Sequence, residues 1–481
     1  MSPASDNRPT ASNEAGKPRR ILRLHQAVTL IVGLVIGAGI FKTPAVVANL
    51  AGETGAMFSA WILGGLVSLV GALCYAELAC AYPDAGGDYH FLQKAYGRSV
   101  SFLFGWARLS VITTGSIALL AFVFGDYMNR IVPLDIDGIV SGPFLYAIAV
   151  ILILSWLNIR NIRTGMTTQS LFTGLQVLCL VLIVATALYL LASGTSEPVT
   201  HTPPVEPSGT SPFFSANFGL AMVFVLLTFG GWNEAAYISA EIRDGHRNMV
   251  RALVFSIAII TALYLLVTWA YWQGLGFAGM AASAAIAADL MQMAFGDTAR
   301  KIISLMVAIS TLTSINATII VGARTSYAMG RDWHVLRKLG VWDARRDTPV
   351  NALYIQCLAS LALVILGTLI GSGFKSMVEF TAPVFWLFFL LSGISLFVLR
   401  MRDPHTPRPF RVPFYPVLPL IFCLTCCYML WSSLSYVYDQ SLGGINAAWI
   451  GVAVLLPGLV FLWIINRMDT DKNQTETPAD T

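Results

Sequence analysis

The chain has 481 residues, of which 56% are hydrophobic and only 12% are charged, with a formal charge of +4 and a mean hydropathy of +0.68. A soluble domain is ordinarily about 45–50% apolar and about 25% charged. Disorder, a collagen-like repeat and a small disulfide scaffold are therefore excluded, and a single soluble core of this length would be unusual. The apolar residues fall in long runs, the pattern of an all-α polytopic membrane protein.

Residues 1–20 are polar and read as a disordered tail, with no small-residue cleavage site after the first apolar run. Five spans follow within 21–193, at about 24–50, 56–81, 99–128, 143–159 and 167–192. An external loop, 194–212, carries no Lys or Arg. Five more spans occupy 213–400, at about 213–241, 251–275, 302–329, 350–370 and 377–400, and helices 11 and 12 fill 401–467 before a polar tail at 468–481. Each span is long enough to cross the hydrocarbon core, giving 12 transmembrane helices. Short helices are expected at 88–97 and, lying at the membrane interface, near 280–295.

An even number of spans puts both termini on one side. Nearly all Lys and Arg fall on that side, and only Arg130, Arg300, Lys301 and Lys375 fall on the other, with Lys42 and Arg108 inside spans. The positive-inside rule makes the termini cytoplasmic in a plasma-membrane protein. The net positive charge is thus a matter of topology and not of nucleic-acid binding. The seven cysteines all lie in apolar runs, so no disulfide framework is implied, and the six histidines form no metal-ligand spacing. No metal or cofactor is expected.

Two spans carry clustered glycines at mid-length. Span 1 reads IVGLVIGAGIFKTP, with Gly33, Gly37 and Gly39 ahead of Pro44, and span 6 reads LLTFGGWNEAAY, with Gly230 and Gly231. Glycine in a helix interior costs about 1 kcal/mol relative to Ala, and irregular backbone at membrane depth survives only where protein or a water-filled cavity satisfies it. Close helix packing would also use such glycines. Their recurrence five spans apart, in halves of opposite orientation, points instead to the binding site of a secondary transporter. Where span 1 opens, the N–H groups near Gly37, Ala38, Gly39 and Ile40 begin a half-helix that attracts a carboxylate. Where span 6 opens, the carbonyls of Thr228, Phe229 and Gly230, next to Gly231, end a half-helix and can accept from an ammonium. Together the breaks suit an amino acid.

The charges inside spans are functional candidates by default. Glu77 and Arg108 read as snorkelling or mutually paired, Asp126 as structural, and Lys42 as lining the outer vestibule or snorkelling outward. Glu234 is a candidate proton carrier, a contact for a cationic side chain, or an anchor in an ion-pair network. Trp232, Asn233 and Trp386 are candidate site residues, and the hydroxyls of span 8 from Ser310 to Thr318 are candidate cation or helix–helix contacts.

Several motifs together resemble the amino acid–polyamine–organocation superfamily, and within it the L-type amino acid transporter branch. They are GAGIF at 37–41, GALCYAEL at 71–78, GGDY at 86–89, FGDY at 124–127, FGGWNE at 229–234, RNMVRAL at 247–253, the GRD at 330–332 and RPFRV at 408–412. The resemblance implies a LeuT-like 5+5 inverted repeat with discontinuous helices 1 and 6, spans 11 and 12 at the periphery, and alternating access. Three positions depart from the branch. Gln169, Phe172 and Thr173 match its span 5 pattern, but Gln176 stands where a lysine is common and cannot carry charge. Residues 129–143 contain no cysteine, so no disulfide-linked heavy chain is expected. Leu227 stands where an aromatic residue is common.

The expectation is a permease or exchanger moving a neutral L-amino acid, with a proton or another ion as possible coupling partner. A cationic amino acid or polyamine transporter is the second reading, and a non-transporting membrane amino-acid sensor is the alternative of another class. There is no G-x-x-x-x-G-K-[ST] loop and no nucleophile–base pattern, so an enzyme is not expected.

Overall fold

In hydrocarbon every backbone N–H and C=O must be satisfied within the protein, so long apolar runs become helices. The computed structural model describes residues 24–83, 87–134, 141–160, 166–194, 216–233, 245–343, 345–346, 348–370, 373–439, 441–442, 445–446, 453–465 and 467. The order begins with α1 (Leu24–Val35), a 3-10 turn (Ala38–Phe41), α2 (Thr43–Ala51), α3 (Thr54–Ala81) and α4 (Asp88–Tyr96). Next come α5 (Arg98–Ala107), a π turn (Arg108–Ile112), α6 (Thr113–Ile131), α7 (Gly142–Ile159), α8 (Met166–Ser193) and α9 (Ala216–Thr228). Then follow α10 (Gly245–Ala282), α11 (Ile286–Asp332), α12 (Val350–Ile370), α13 (Gly373–Arg402), α14 (Val417–Asp439) and a short helix, α15 (Ala453–Ile465). A two-residue antiparallel pair, β1 (Ser441–Leu442) with β2 (Ile445–Asn446), precedes α15.

Nine of these helices, counting Arg98–Ile131 as one, are long and apolar enough to cross a membrane among the described residues. Apolar residues facing outward are plentiful, as expected of a surface solvated by lipid: Leu358, Leu369 and Val181 are all more than half exposed.

Two helices run longer than the hydropathy suggests. α10 continues past a bend at Gly276 (φ 68°), and α11 begins before one at Gly296 (φ 77°). The short helix expected near 280–295 forms the first turns of α11, ahead of the Gly296 bend, with Ala285, Ile286, Ala287, Ala288 and Leu290 buried against the core and Met293 and Phe295 exposed. Its small side chains let it pack where a polar face would otherwise be needed.

Within the bundle α2 packs on α9, α3 on α10, α6 on α11 and α7 on α12. Glycine permits a further close approach in the core. A Cβ at Gly71 would stand 2.6 Å from Phe422 and 2.7 Å from Trp232, so α3 presents bare backbone to the aromatic residue that follows α9.

Candidate functional site

The break between α1 and α2 and the end of α9 meet in the middle of the molecule. α1 stops at Val35, the chain passes through an extended Gly37, and the 3-10 turn leads into α2, which has proline in its first turn. α9 stops at Thr228 and the chain turns through Gly231, whose φ of 107° is accessible to glycine at no steric cost. At the crossing, a Cβ on Gly39 would lie 3.2 Å from the Thr228 side chain. Thr228 Oγ1 donates to Thr43 Oγ1 (2.8 Å) or to Phe224 O (2.9 Å), stitching the start of α2 to the end of α9.

The fully buried Tyr264 of α10 completes the crossing. Its hydroxyl lies 3.0 Å from Val35 O and 3.2 Å from Thr228 O, so its one proton is shared between the last carbonyls of α1 and α9. Sequence reasoning missed this residue. A tyrosine in the middle of the otherwise apolar stretch IITALYLLVTW was the available signal, since a buried phenol needs a partner. The carbonyl of Thr228 shares that proton with Val35 O, so acceptor capacity remains on it for a ligand.

Beside the crossing is a cavity of about 410 Å³. Gly37, Ala38, Gly39, Thr228, Gly230, Gly231 and Asn233 line it, as does Gln176 from α8. The first N–H groups of a helical turn have no intrahelical acceptor. Among the described residues, none of the Gly37, Ala38 and Gly39 amides donates to a side chain or to backbone outside its own turn. Asn233 Oδ1 accepts from the Gly231 amide at 3.3 Å, holding the span 6 turn. Gln176 is 4% exposed. Thr313, Ser314 and Thr318 of α11 form another part of the wall; each donates to its own helix four residues back. Asn316 instead accepts from Asn158 of α7 at 2.7 Å.

Other candidates lie away from the cavity wall. Ile40 and Phe229 are buried off the lining, Phe229 with its ring against Trp61 and Tyr264. Trp232 packs edge-on to Tyr75 (5.3 Å between ring centroids) and against Phe389. Trp386 faces away because it is one residue out of register: Phe385, Phe388, Phe389 and Ser392 share the cavity face of α13. Lys42 lies off the cavity wall, where it pairs with Asp126 at 2.6 Å. Glu234 lies outside the described residues.

The cavity wall contains two charged side chains, Asp88 and Arg108, among the described residues. Asp88 accepts from Tyr75 (2.6 Å) and Ser392 (2.9 Å), and Arg108 stands in the π turn. Both belong to the end of the bundle that carries Arg98, Arg400 and Arg402. Here α4 is docked by Arg402 on Ala95 O (2.8 Å) and by Tyr96 on Leu391 O (2.9 Å). Burial pushes the Tyr96 phenol up to about 12, so it remains a donor at neutral pH.

Glu77 is not paired with Arg108. Its carboxylate is 2% exposed and takes a bidentate pair from Arg400 (2.6 and 2.7 Å) plus the Val412 amide (2.7 Å). The planar guanidinium fork matches the carboxylate, and the partner comes from α13, not from the neighbouring span.

A family model described as "Amino acid permease" matches residues 22–470. The mouse protein named "Large neutral amino acids transporter small subunit 2" is 29% identical over 467 residues, covering 95% of this chain and 84% of that one. The human "b(0,+)-type amino acid transporter 1" is 30% identical over 425 residues, covering 85% and 81% of the two chains. The mouse "Asc-type amino acid transporter 1" is 26% identical over 450 residues, covering 93% and 81%.

Proposed function

This chain belongs to the amino acid permease family, and from that premise we propose that it carries neutral L-amino acids across the plasma membrane by alternating access. It is a multi-pass membrane protein and a secondary amino acid transporter, not an enzyme. The observation that carries the choice of substrate is the charge pattern of the cavity. Its wall beside the broken helices offers backbone groups, Thr228, Asn233 and Gln176, while the charged Asp88 and Arg108 stand toward the arginine-rich end. Amides of the span 1 turn receive the α-carboxylate, and carbonyls at the end of α9 receive the α-ammonium. The side chain is left against Phe224, Phe374, Phe385 and Leu227. Leu227 in place of an aromatic residue enlarges that space.

Twelve crossings follow when the interrupted spans 1 and 6 and the short α15 are counted with the nine long helices. The packing of α2 on α9, α3 on α10, α6 on α11 and α7 on α12 supports a five-plus-five inverted repeat over 21–193 and 213–400. The positive-inside rule supports cytoplasmic termini, with the arginine-rich end facing the cytoplasm. Gln176 provides hydrogen bonds but no fixed charge, so coupling through a span 5 ammonium does not operate here. The loop between α6 and α7 offers no cysteine to a heavy chain, and the transporter works alone.

The test is counterflow in liposomes loaded with unlabelled amino acids. Accumulation of labelled neutral L-amino acids is expected. Accumulation confined to lysine, arginine or polyamines would overturn the choice of substrate. Ligand binding without flux under any gradient would overturn transport. An unequal internal and external pH, with Glu234→Gln beside the parent, tests whether a proton is carried.

A further inference from the structure

We propose that Lys42 and Asp126 form a charged clasp that shuts the cavity at the end opposite the arginine-rich surface, and that each opening to that side breaks it. The inference rests on the transport reading above, but its evidence is separate from the substrate contacts. Lys42 is the residue at which the 3-10 turn of span 1 gives way to α2. Its Nζ is 2.6 Å from Asp126 Oδ2 on α6 and 2.6 Å from the Ala284 carbonyl, in the turn between α10 and α11. The same ammonium lies 6.0 Å from the centre of the Phe374 ring on α13. Phe374 is part of the cavity wall, so the ammonium sits directly behind that wall.

One side chain thus joins four elements that an opening motion must separate. Three further contacts close the same end. Tyr127 donates to Phe41 O at 2.6 Å, so consecutive residues of α6 hold consecutive residues of span 1. Arg130 pairs with Asp289 at 3.2 Å, and Ser283 donates to Asp289 at 2.6 Å, fastening the turn before α11 to α6.

The side chains of Lys42 and Asp126 are 11% and 19% exposed. Each charge is therefore desolvated in this state and compensated chiefly by the other. In a state open to the far side both would be hydrated. Removing one partner leaves a buried, uncompensated charge only in the shut state, so the equilibrium moves toward the open one. A pair that was merely structural would lower stability and leave access unchanged.

The experiment reads access by thiol chemistry. The seven native cysteines are replaced and Ser116→Cys places one thiol in the cavity wall. Proteoliposomes are then exposed to a membrane-impermeant thiosulfonate on one side at a time. Lys42→Met and Asp126→Asn are each expected to raise labelling from the far side by about tenfold or more. Labelling from the arginine-rich side should fall. The exchanged pair, Lys42→Asp with Asp126→Lys, is expected to return both rates toward the parent. Asp126→Asn is nearly isosteric and carries the test if Lys42→Met does not assemble. Parent labelling rates in correctly assembled single variants would overturn the clasp. Absence of counterflow in the parent counts against the transport reading, and unchanged labelling counts against the clasp.

Discussion

Tyr264→Phe removes one oxygen atom and leaves the ring packing against Trp61 (5.6 Å) and Phe229 (5.1 Å) in place. What is lost is the donor that serves Val35 O at 3.0 Å and Thr228 O at 3.2 Å. Both carbonyls end helices, Val35 in α1 and Thr228 in α9, so neither has an intrahelical donor to fall back on. A buried polar group left without its partner costs about 1–3 kcal/mol. Phenylalanine offers no substitute, and the fully buried position of the phenol gives water little room. If that cost falls on the crossing as it closes around substrate, the specificity constant for uptake drops about 5- to 150-fold. The assay is initial-rate uptake into proteoliposomes across a substrate range, beside a melting curve in detergent. The expected result is a higher KM with a modest loss of melting temperature. Parent uptake kinetics in Tyr264→Phe would refute the idea that one hydroxyl ties the two breaks together.

Further perturbations follow from the same geometry. Glu77→Gln breaks a buried bidentate pair and leaves Arg400 without its counter-charge; a loss of about 3 kcal/mol or more should appear as poor yield and a lowered melting temperature, with substrate selectivity unchanged in the protein that survives. Gly71→Ala drives a methyl group into Phe422 and Trp232; a cost of about 1–3 kcal/mol is expected from overpacking, read as a lower melting temperature, and Trp232→Phe should partly restore it by shortening the ring that meets the new Cβ. Gly39→Ala sets a Cβ 3.2 Å from the Thr228 side chain; the two breaks are pushed apart, and uptake should fall even where the protein melts normally.

The helices and the break in span 1 were legible in the sequence because both depend on local composition. A run such as ILGGLVSLVGALCYAELA has one solution in hydrocarbon, and clustered glycines beside Pro44 mark where a helix can open. Membership of the cavity wall was legible only in part. Gly37, Gly39, Thr228 and Asn233 lie on it, yet Ile40, Phe229 and Trp232, adjacent in sequence, turn away. A break fixes where backbone groups are exposed and says little about which neighbouring side chain shares that face. The same limit explains Trp386, which sits beside Phe385 in sequence and about 100° from it around α13.

Long-range partners were the least legible. Arg400 lies 323 residues from Glu77, and no local pattern selects it over Arg108. Tyr264 has neither charge nor a motif to distinguish it from the aromatic residues common in membrane helices. Lys42 and Asp126 each stood out as charges within spans, but their pairing depends on how span 1 folds back after its break.

The central claim is that the two breaks read the two charged groups of an amino acid, one each. Competition against uptake of a labelled neutral amino acid tests it most directly. Three competitors suffice: the unlabelled amino acid, the amine that lacks its carboxylate and the acid that lacks its amino group. Only the intact amino acid should compete, since either analogue leaves one helix end without its partner. Equal competition by the amine or by the acid alone would contradict the claim.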